Sequence, residues 1–296
     1  MLLNRRQSFA AAAPPRCSRA CCPVRKAAPG AEYPKKVLYF TKSSGFEHSI
    51  VKRNGDSPAF SEKILAEIAA PHGYDVTCSK DGRLFDPDKI GQWDAFVFCT
   101  TGDLTTEGTD KQPAMSAAGK QAFLDAIAAG KGFMGMHCAT DTFHSKGGEV
   151  DPYIKMIGGE FAGHGDQMPA TLEVADKDFP RLAAYNLASF RLTDEWYSQK
   201  NLANDLHVVL VQLTDSMPKR ENNNKMYGRP SFPQTWTRQH GKGRVFYTSM
   251  GHREDVWLSP LYRDLLIGGL DFITGKSNID ASPNVEKVTP GYLTLT

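Results

Sequence analysis

Lys131-Gly132-Phe133-Met134-Gly135-Met136-His137-Cys138-Ala139-Thr140-Asp141 is the stretch that decides how this chain is read. A Gly-broken apolar run ends abruptly in imidazole, thiol, hydroxyl and carboxylate. A strand buried on both faces reads as a continuous apolar run, and open α/β sheets bind ligands beyond the carboxyl ends of their strands. The segment therefore predicts a strand over 132–136 that delivers polar side chains to a cleft.

The flanking sequence repeats this rhythm. Lys36–Thr41, Tyr74–Cys78 and Ala95–Cys99 read as strands, the last fully apolar and therefore central. Pro58–His72 has helical spacing (Phe60, Ile64, Leu65, Ile68) and stops at Gly73, and Ala117–Ala129 is a second helix closed by Gly130. This alternation predicts a βαβ sheet covered on both faces. Beyond residue 150 the pattern loosens. Pro169–Ala175 and His207–Leu213 read as strands, and Thr235–Gln239 and Arg244–Thr248 flank a His240-Gly241-Lys242-Gly243 hairpin turn. Pro260–Ile273 is an amphipathic helix. One domain over 36–275 is expected, with a leader over 1–35 and an aperiodic tail over 276–296.

Of the 296 residues, 41% are hydrophobic and 23% charged, which is globular composition with a net charge of only +2. No basic stripe with interleaved aromatics suggests nucleic acid, and no apolar run approaches the roughly 20 residues of a membrane span. The six cysteines form neither a CxxC pair nor a regular framework, so no structural zinc site or disulfide scaffold is indicated. In the leader, six basic residues (Arg5, Arg6, Arg16, Arg19, Arg25, Lys26) precede the first acid, Glu32. Asn4-Arg5-Arg6-Gln7-Ser8-Phe9 looks like a twin-arginine export signal, implying a periplasmic or secreted protein. Its apolar continuation is short, and Arg16–Ala28 equally suits an organelle transit peptide; a cytoplasmic location is the other alternative.

The strand ends carry the chemistry. The first delivers Phe46, Glu47 and His48, the third Thr101 and Asp103, and the fourth His137, Cys138, Thr140 and Asp141. The late strand over 244–250 delivers His252, Arg253 and Glu254. Each histidine alone suits a half-buried side chain bonded to backbone, but three at separate strand ends argue for one shared cleft. His164 follows Gly158-Gly159 in what reads as a glycine loop. Asp194-Glu195-Trp196-Tyr197 sets two carboxylates beside two aromatics, a combination suited to sugars or other polar ligands; its plainer reading is a helix or strand terminus with core aromatics.

Together these motifs resemble the ThuA-like family, the trehalose-utilisation domain. The resemblance rests on Gly45-Phe46-x-His48, Thr101-Gly102-Asp103, Gly135 through Thr142, Gly158-Gly159-x-Phe161-x-x-His164, Asp194 through Tyr197, and Trp236-Thr237-Arg238 leading to Gly251-His252. It covers about residues 36–275. It implies a flavodoxin-like, class I glutamine amidotransferase-like three-layer sandwich with a mostly parallel central sheet, and a role in carbohydrate catabolism.

Three functional readings follow. In the first, a sugar-processing hydrolase, lyase or isomerase acts on a trehalose-type or keto-sugar derivative. His48, His137, His164 and His252 would bind zinc or a similar divalent ion, or serve as acid and base, with Asp141 or Asp103 as orienting carboxylate. His137 and Asp141 are the expected functional pair. Phe46, Thr101, Asp103, Thr140, Glu195, Trp196 and Tyr197 are the expected substrate contacts. In the second, Cys138 is a nucleophile assisted by His252 and Glu254. In the third, Trp196, Tyr197, Trp236 and Trp257 form stacking surfaces of a non-catalytic sugar-binding protein. The expected partner is a small carbohydrate. No nucleotide is expected, and assembly into a homo-oligomer is left open.

Overall fold

The computed structural model describes residues 34–217 and 225–295. The twin-arginine-like leader lies outside the described residues. Among the described residues eleven strands form: β1 Lys35–Phe40, β2 Tyr74–Ser79, β3 Ala95–Phe98, β4 Gly132–Met136, β5 Glu160–His164, β6 Met168–Val174, β7 Ser189–Asp194, β8 Tyr197–Lys200, β9 His207–Leu213, β10 Phe232–His240 and β11 Gly243–Thr248. The helices are α1 Phe60–Ala69, α2 Ala117–Ala128, α3 Pro152–Ile157, α4 Glu254–Leu258, α5 Pro260–Ile273 and α6 Val285–Val288.

Nine strands form one sheet in the order β2-β1-β3-β4-β11-β10-β9-β6-β7, and β5 pairs with β8 separately. The pairings from β2 to β11 are parallel and those from β11 to β7 antiparallel. Because β10 and β6 alone run against the rest, the carboxyl ends of β1, β4, β11 and β7 lie at the same edge.

The predicted mixed α/β fold with a mostly parallel central sheet is what forms, and its core explains the apolar runs. Val37 and Tyr39 face the layer of α1 and α5, while Leu38 and Phe40 face that of α2 and α3; Met134 and Phe133 divide likewise. Every one of these side chains is fully buried. Gly135 is required by closeness: a Cβ there would lie 2.8 Å from Cδ1 of Ile157 in α3 and 3.1 Å from the Tyr247 ring.

The less regular half differs from expectation in three places. Residues 160–164 form strand β5 instead of a glycine loop, and β7 and β8 flank the Asp-Glu-Trp-Tyr motif. Residues 276–295 include α6, and they pack on the sheet. Val285 and Tyr292 are 1% exposed, and the Asn284 side chain accepts from the Val208 N–H at 2.6 Å and donates to its carbonyl at 3.1 Å. Short tails lack periodicity because a few anchors, not a repeating face, hold them. No described helix is long and apolar enough to cross a membrane.

Candidate functional site

At the shared edge, His48, His137, Glu195 and His252 bring four donor atoms within 4.8 Å of one another. His48 stands at the entrance of a short turn after β1, and His137 is the first residue after β4. Glu195 follows β7, and His252 follows β11.

His137 occupies a strained strand-to-helix turn with φ of 43°, a left-handed conformation that non-glycine residues rarely adopt. Its Nδ1 lies 2.9 Å from the Ser249 carbonyl, and a carbonyl only accepts, so Nδ1 carries the proton. In the neutral ring Nε2 then carries the lone pair; it lies 3.3 Å from Nδ1 of His252 and 3.5 Å from Oε2 of Glu195. His252 Nδ1 is 3.1 Å from the same carboxylate oxygen. The His48 ring packs edge-on against His137 and His252, with centroids 5.0 and 5.3 Å apart. The Tyr197 hydroxyl lies 3.4 Å from His48 Nε2, and its ring rests on His137 with a centroid separation of 4.2 Å.

Electrostatics follows from this packing. Burial, then the neighbouring His137 and His252, push the His48 pKa down to about 2, so this imidazole is neutral. Burial works against ionisation of Glu195, but bonds from His137 and His252 outweigh it and hold the carboxyl well below the usual range. The result is a buried, ionised carboxylate set among three imidazoles. His48 Nδ1 is buried and has no hydrogen-bond partner among the described residues. Such nitrogens crowd unfavourably unless a proton or cation stands between them. The donor set of imidazole nitrogen and carboxylate oxygen is one that zinc accepts, with the His137 tautomer fixed by a backbone carbonyl in the usual manner of a metal-bound histidine. The group could hold a metal.

The other expected residues divide. His164 is not among the four: its Nδ1 is 3.4 Å from Glu195 Oε1 and 2.9 Å from the Gly165 carbonyl, and its side chain is 42% exposed at the rim. Asp141 does not pair with His137; it faces His144 Nε2 at 2.5 Å. Asp103 accepts from the Thr105 N–H and hydroxyl and lines a separate cavity with Lys120 and His144. Thr101 pins the Phe46 loop by accepting from the Gly45 N–H and donating to the Phe46 carbonyl at 2.9 Å. Thr140 is buried against the hydroxyl of Tyr247 at 3.0 Å. Phe46 is 69% exposed and meets His48 edge-on at 4.9 Å.

The cysteine constellation does not assemble. Cys138 is fully buried with its sulfur 3.5 Å from that of Cys99, and burial, reinforced by Cys99, pushes its thiol well up, away from the thiolate. His252 turns its Nδ1 to Glu195 and His137 instead, and Glu254 is an exposed residue at the start of α4. The turn has the strain of a nucleophile elbow, but the residue under strain is His137. The stacking surfaces are also corrected. Trp196, Trp236 and Trp257 are fully buried and each indole N–H is spent on a backbone carbonyl, of Met168, Ile157 and Gly251 respectively. Tyr197 is 2% exposed and packs within the cluster. Glu195, expected among substrate contacts, is instead the carboxylate of the donor set. The Asp194-Glu195 pair signalled it, and a strand does end at Asp194, but the weak apolar pattern of β7 did not show that this strand ends at the same edge as β4.

Comparison with solved structures finds the same fold in a ThuA-like protein from Bacteroides uniformis (19% identity, TM-score 0.55, covering 84% of this chain and 95% of that one). A ThuA-like protein from Parabacteroides merdae gives 16% identity and a TM-score of 0.57, covering 86% of this chain and 96% of the other. Comparison with curated proteins finds no match. The ThuA family, described as trehalose utilisation, matches residues 36–273. That match spans every member of the His/Glu cluster and supports, coarsely, a carbohydrate-related role: the chain belongs to the ThuA family.

Proposed function

We propose that this protein is a sugar-processing enzyme in which His48, His137, His252 and Glu195 hold a divalent cation of the zinc kind, acting on a trehalose-type or keto-sugar derivative. The observation that carries the reading is the convergence of four donors within 4.8 Å from four separate strand ends. When bound, such an ion polarises a sugar carbonyl or acidifies a water.

The chain's own residues supply the rest. His137 presents Nε2 because Ser249 holds its Nδ1 proton. Glu195 faces His137 and His252 through Oε2, and its other oxygen is 3.4 Å from His164 Nδ1. His164, half exposed at the rim, is placed to donate or accept a hydrogen bond with a substrate hydroxyl. A groove of about 480 Å³ opens beside His252, lined by Ser49, Gln167, Arg253, Glu254, Asp255 and Leu258. Its polar walls suit sugar hydroxyls. Exposed Phe46, beside His48, suits the apolar face of a pyranose ring.

The test is metal analysis of purified protein, followed by chelation and a turnover assay on trehalose and its 3-keto derivative. The expected result is tightly held metal, activity lost on chelation and restored by Zn(II). Metal-free protein with undiminished turnover removes the metal from the reading. Export by the twin-arginine-like leader is proposed as well; a full-length chain found wholly in the cytoplasmic fraction rules it out.

A further inference from the structure

Three strands, β10, β9 and β6, stand between β11 and β7 in the sheet order, so no ladder bond joins the loop carrying His252 to the strand end carrying Glu195. Two donors of one cluster are thus set on elements that the sheet itself does not register. Asp194 spans the gap by bonding backbone on both sides of it. Asp194, the last residue of β7, is fully buried, and its carboxylate accepts three backbone N–H groups. Oδ2 takes that of Gly251 at 2.7 Å, and Oδ1 takes those of Glu195 at 3.0 Å and Arg253 at 3.2 Å. Gly251 and Arg253 flank His252 on either side.

The loop is built to meet this carboxylate. Gly251 has φ of +110°, and a Cβ there would fall 2.3 Å from the Tyr262 hydroxyl, so only glycine brings this N–H to Asp194. Trp257 donates to the Gly251 carbonyl at 2.8 Å, and Tyr262 donates to that of Met250 at 3.1 Å. These two bonds hold the loop to the helices that follow it. Asp194 ties it to Glu195.

We infer that Asp194 is a positioning residue of the cluster: its carboxylate fixes the separation of His252 and Glu195 by bonding the backbone on both sides of one and at the start of the other. The inference rests on the metal reading above. An outer carboxylate that orients ligands characteristically changes metal affinity when replaced. Asparagine keeps the shape but has one acceptor oxygen, so it cannot serve Gly251 and the Glu195–Arg253 pair together, and its NH₂ opposes an N–H.

The experiment compares wild-type chain and Asp194→Asn by competition of Zn(II) against a chromophoric chelator, by the visible spectrum of the Co(II) form, and by thermal unfolding of the metal-free proteins. The expected result is affinity weakened roughly 10–100-fold in the variant, with an altered Co(II) spectrum. Wild-type affinity and spectrum in a folded Asp194→Asn overturn the inference while leaving the metal reading standing. Weaker binding matched by an equal loss of metal-free stability, with the Co(II) spectrum unchanged, assigns Asp194 a merely structural role and overturns it too. Wild-type protein that takes up no metal overturns both. If Asp194→Asn does not fold, Arg253→Pro deletes one of the three N–H donors ahead of α4, at an extended residue whose φ of −94° lies about 30° from proline's usual value. A smaller loss of affinity is then expected, and wild-type affinity counts against the inference.

Discussion

The parallel and antiparallel halves of the sheet contribute equally to the cluster but by different physics. His48 and His137 come from β1 and β4, strands buried on both faces, whose position follows from continuous apolar runs and parallel register. Glu195 and His252 belong to the part where order turns antiparallel, where β7 is half exposed and where a buried carboxylate, not a ladder, joins the two loops. One half is organised by hydrophobic layering. The other is organised by a few specific polar bonds, and the site is where the two meet.

The sharpest way to break this symmetry is to remove one imidazole from each half. His137→Ala and His252→Ala are each expected to lower turnover by roughly 10²–10⁴-fold and to deplete bound metal, measured by steady-state kinetics and elemental analysis. Wild-type turnover in His252→Ala would confine the chemistry to the parallel half. Next in size is Trp236→Ala, which empties a buried site on β10 and frees the Ile157 carbonyl. Denaturant unfolding should show a loss of about 3–5 kcal/mol. Sugar affinity of the folded protein should not change, and weakened affinity would revive the stacking reading.

Cys138→Ala is expected to cost roughly 1 kcal/mol and leave turnover at the wild-type level, since the thiol faces Cys99 in the core. A large fall in kcat would restore the cysteine mechanism. The smallest effect concerns the C-terminal segment. His207 at the start of β9 bonds the Ser282 carbonyl at 2.7 Å and Asp176 at 3.1 Å. Burial lowers its pKa, but Asp176, the Ser282 bond and Asp280 outweigh burial and raise it above its ordinary value. A histidine whose folded pKa exceeds its unfolded one stabilises fully below the unfolded value of about 6.5, and this contribution is lost as pH rises through the folded pKa. Amides of residues 282–288 should therefore lose hydrogen-exchange protection, after correction for intrinsic rates, as pH rises above neutrality. Asp176→Asn should flatten that dependence.

Legibility followed the same divide. Strand β4 and helix α5 form over the residues their patterns predict, because two buried faces or one amphipathic stripe leave a periodic trace. The three histidines were legible as strand-end residues. Glu195 was not legible as their partner, because β7 alternates only weakly and its pairing with β6 is a tertiary matter. Nor was the orientation of Asp141 and Cys138. A short helical turn sends successive side chains in different directions, and residues four or fewer apart from His137 face His144 and Cys99 instead. Asp194 offered the least signal of all, since its partners are backbone groups that any sequence carries.

The sequence alone determined the layered α/β sheet and the delivery of His48, His137 and His252 to one edge. Hydrophobic burial is periodic and therefore written along the chain, and parallel strands end together. The tertiary structure decided which carboxylate joins them, which nitrogen of His137 is free, and that Cys138 lies in the core. Those outcomes depend on contacts between groups 39 to 115 positions apart, such as Cys138 with Cys99 and His137 with His252, and such distant contacts leave no local pattern to read.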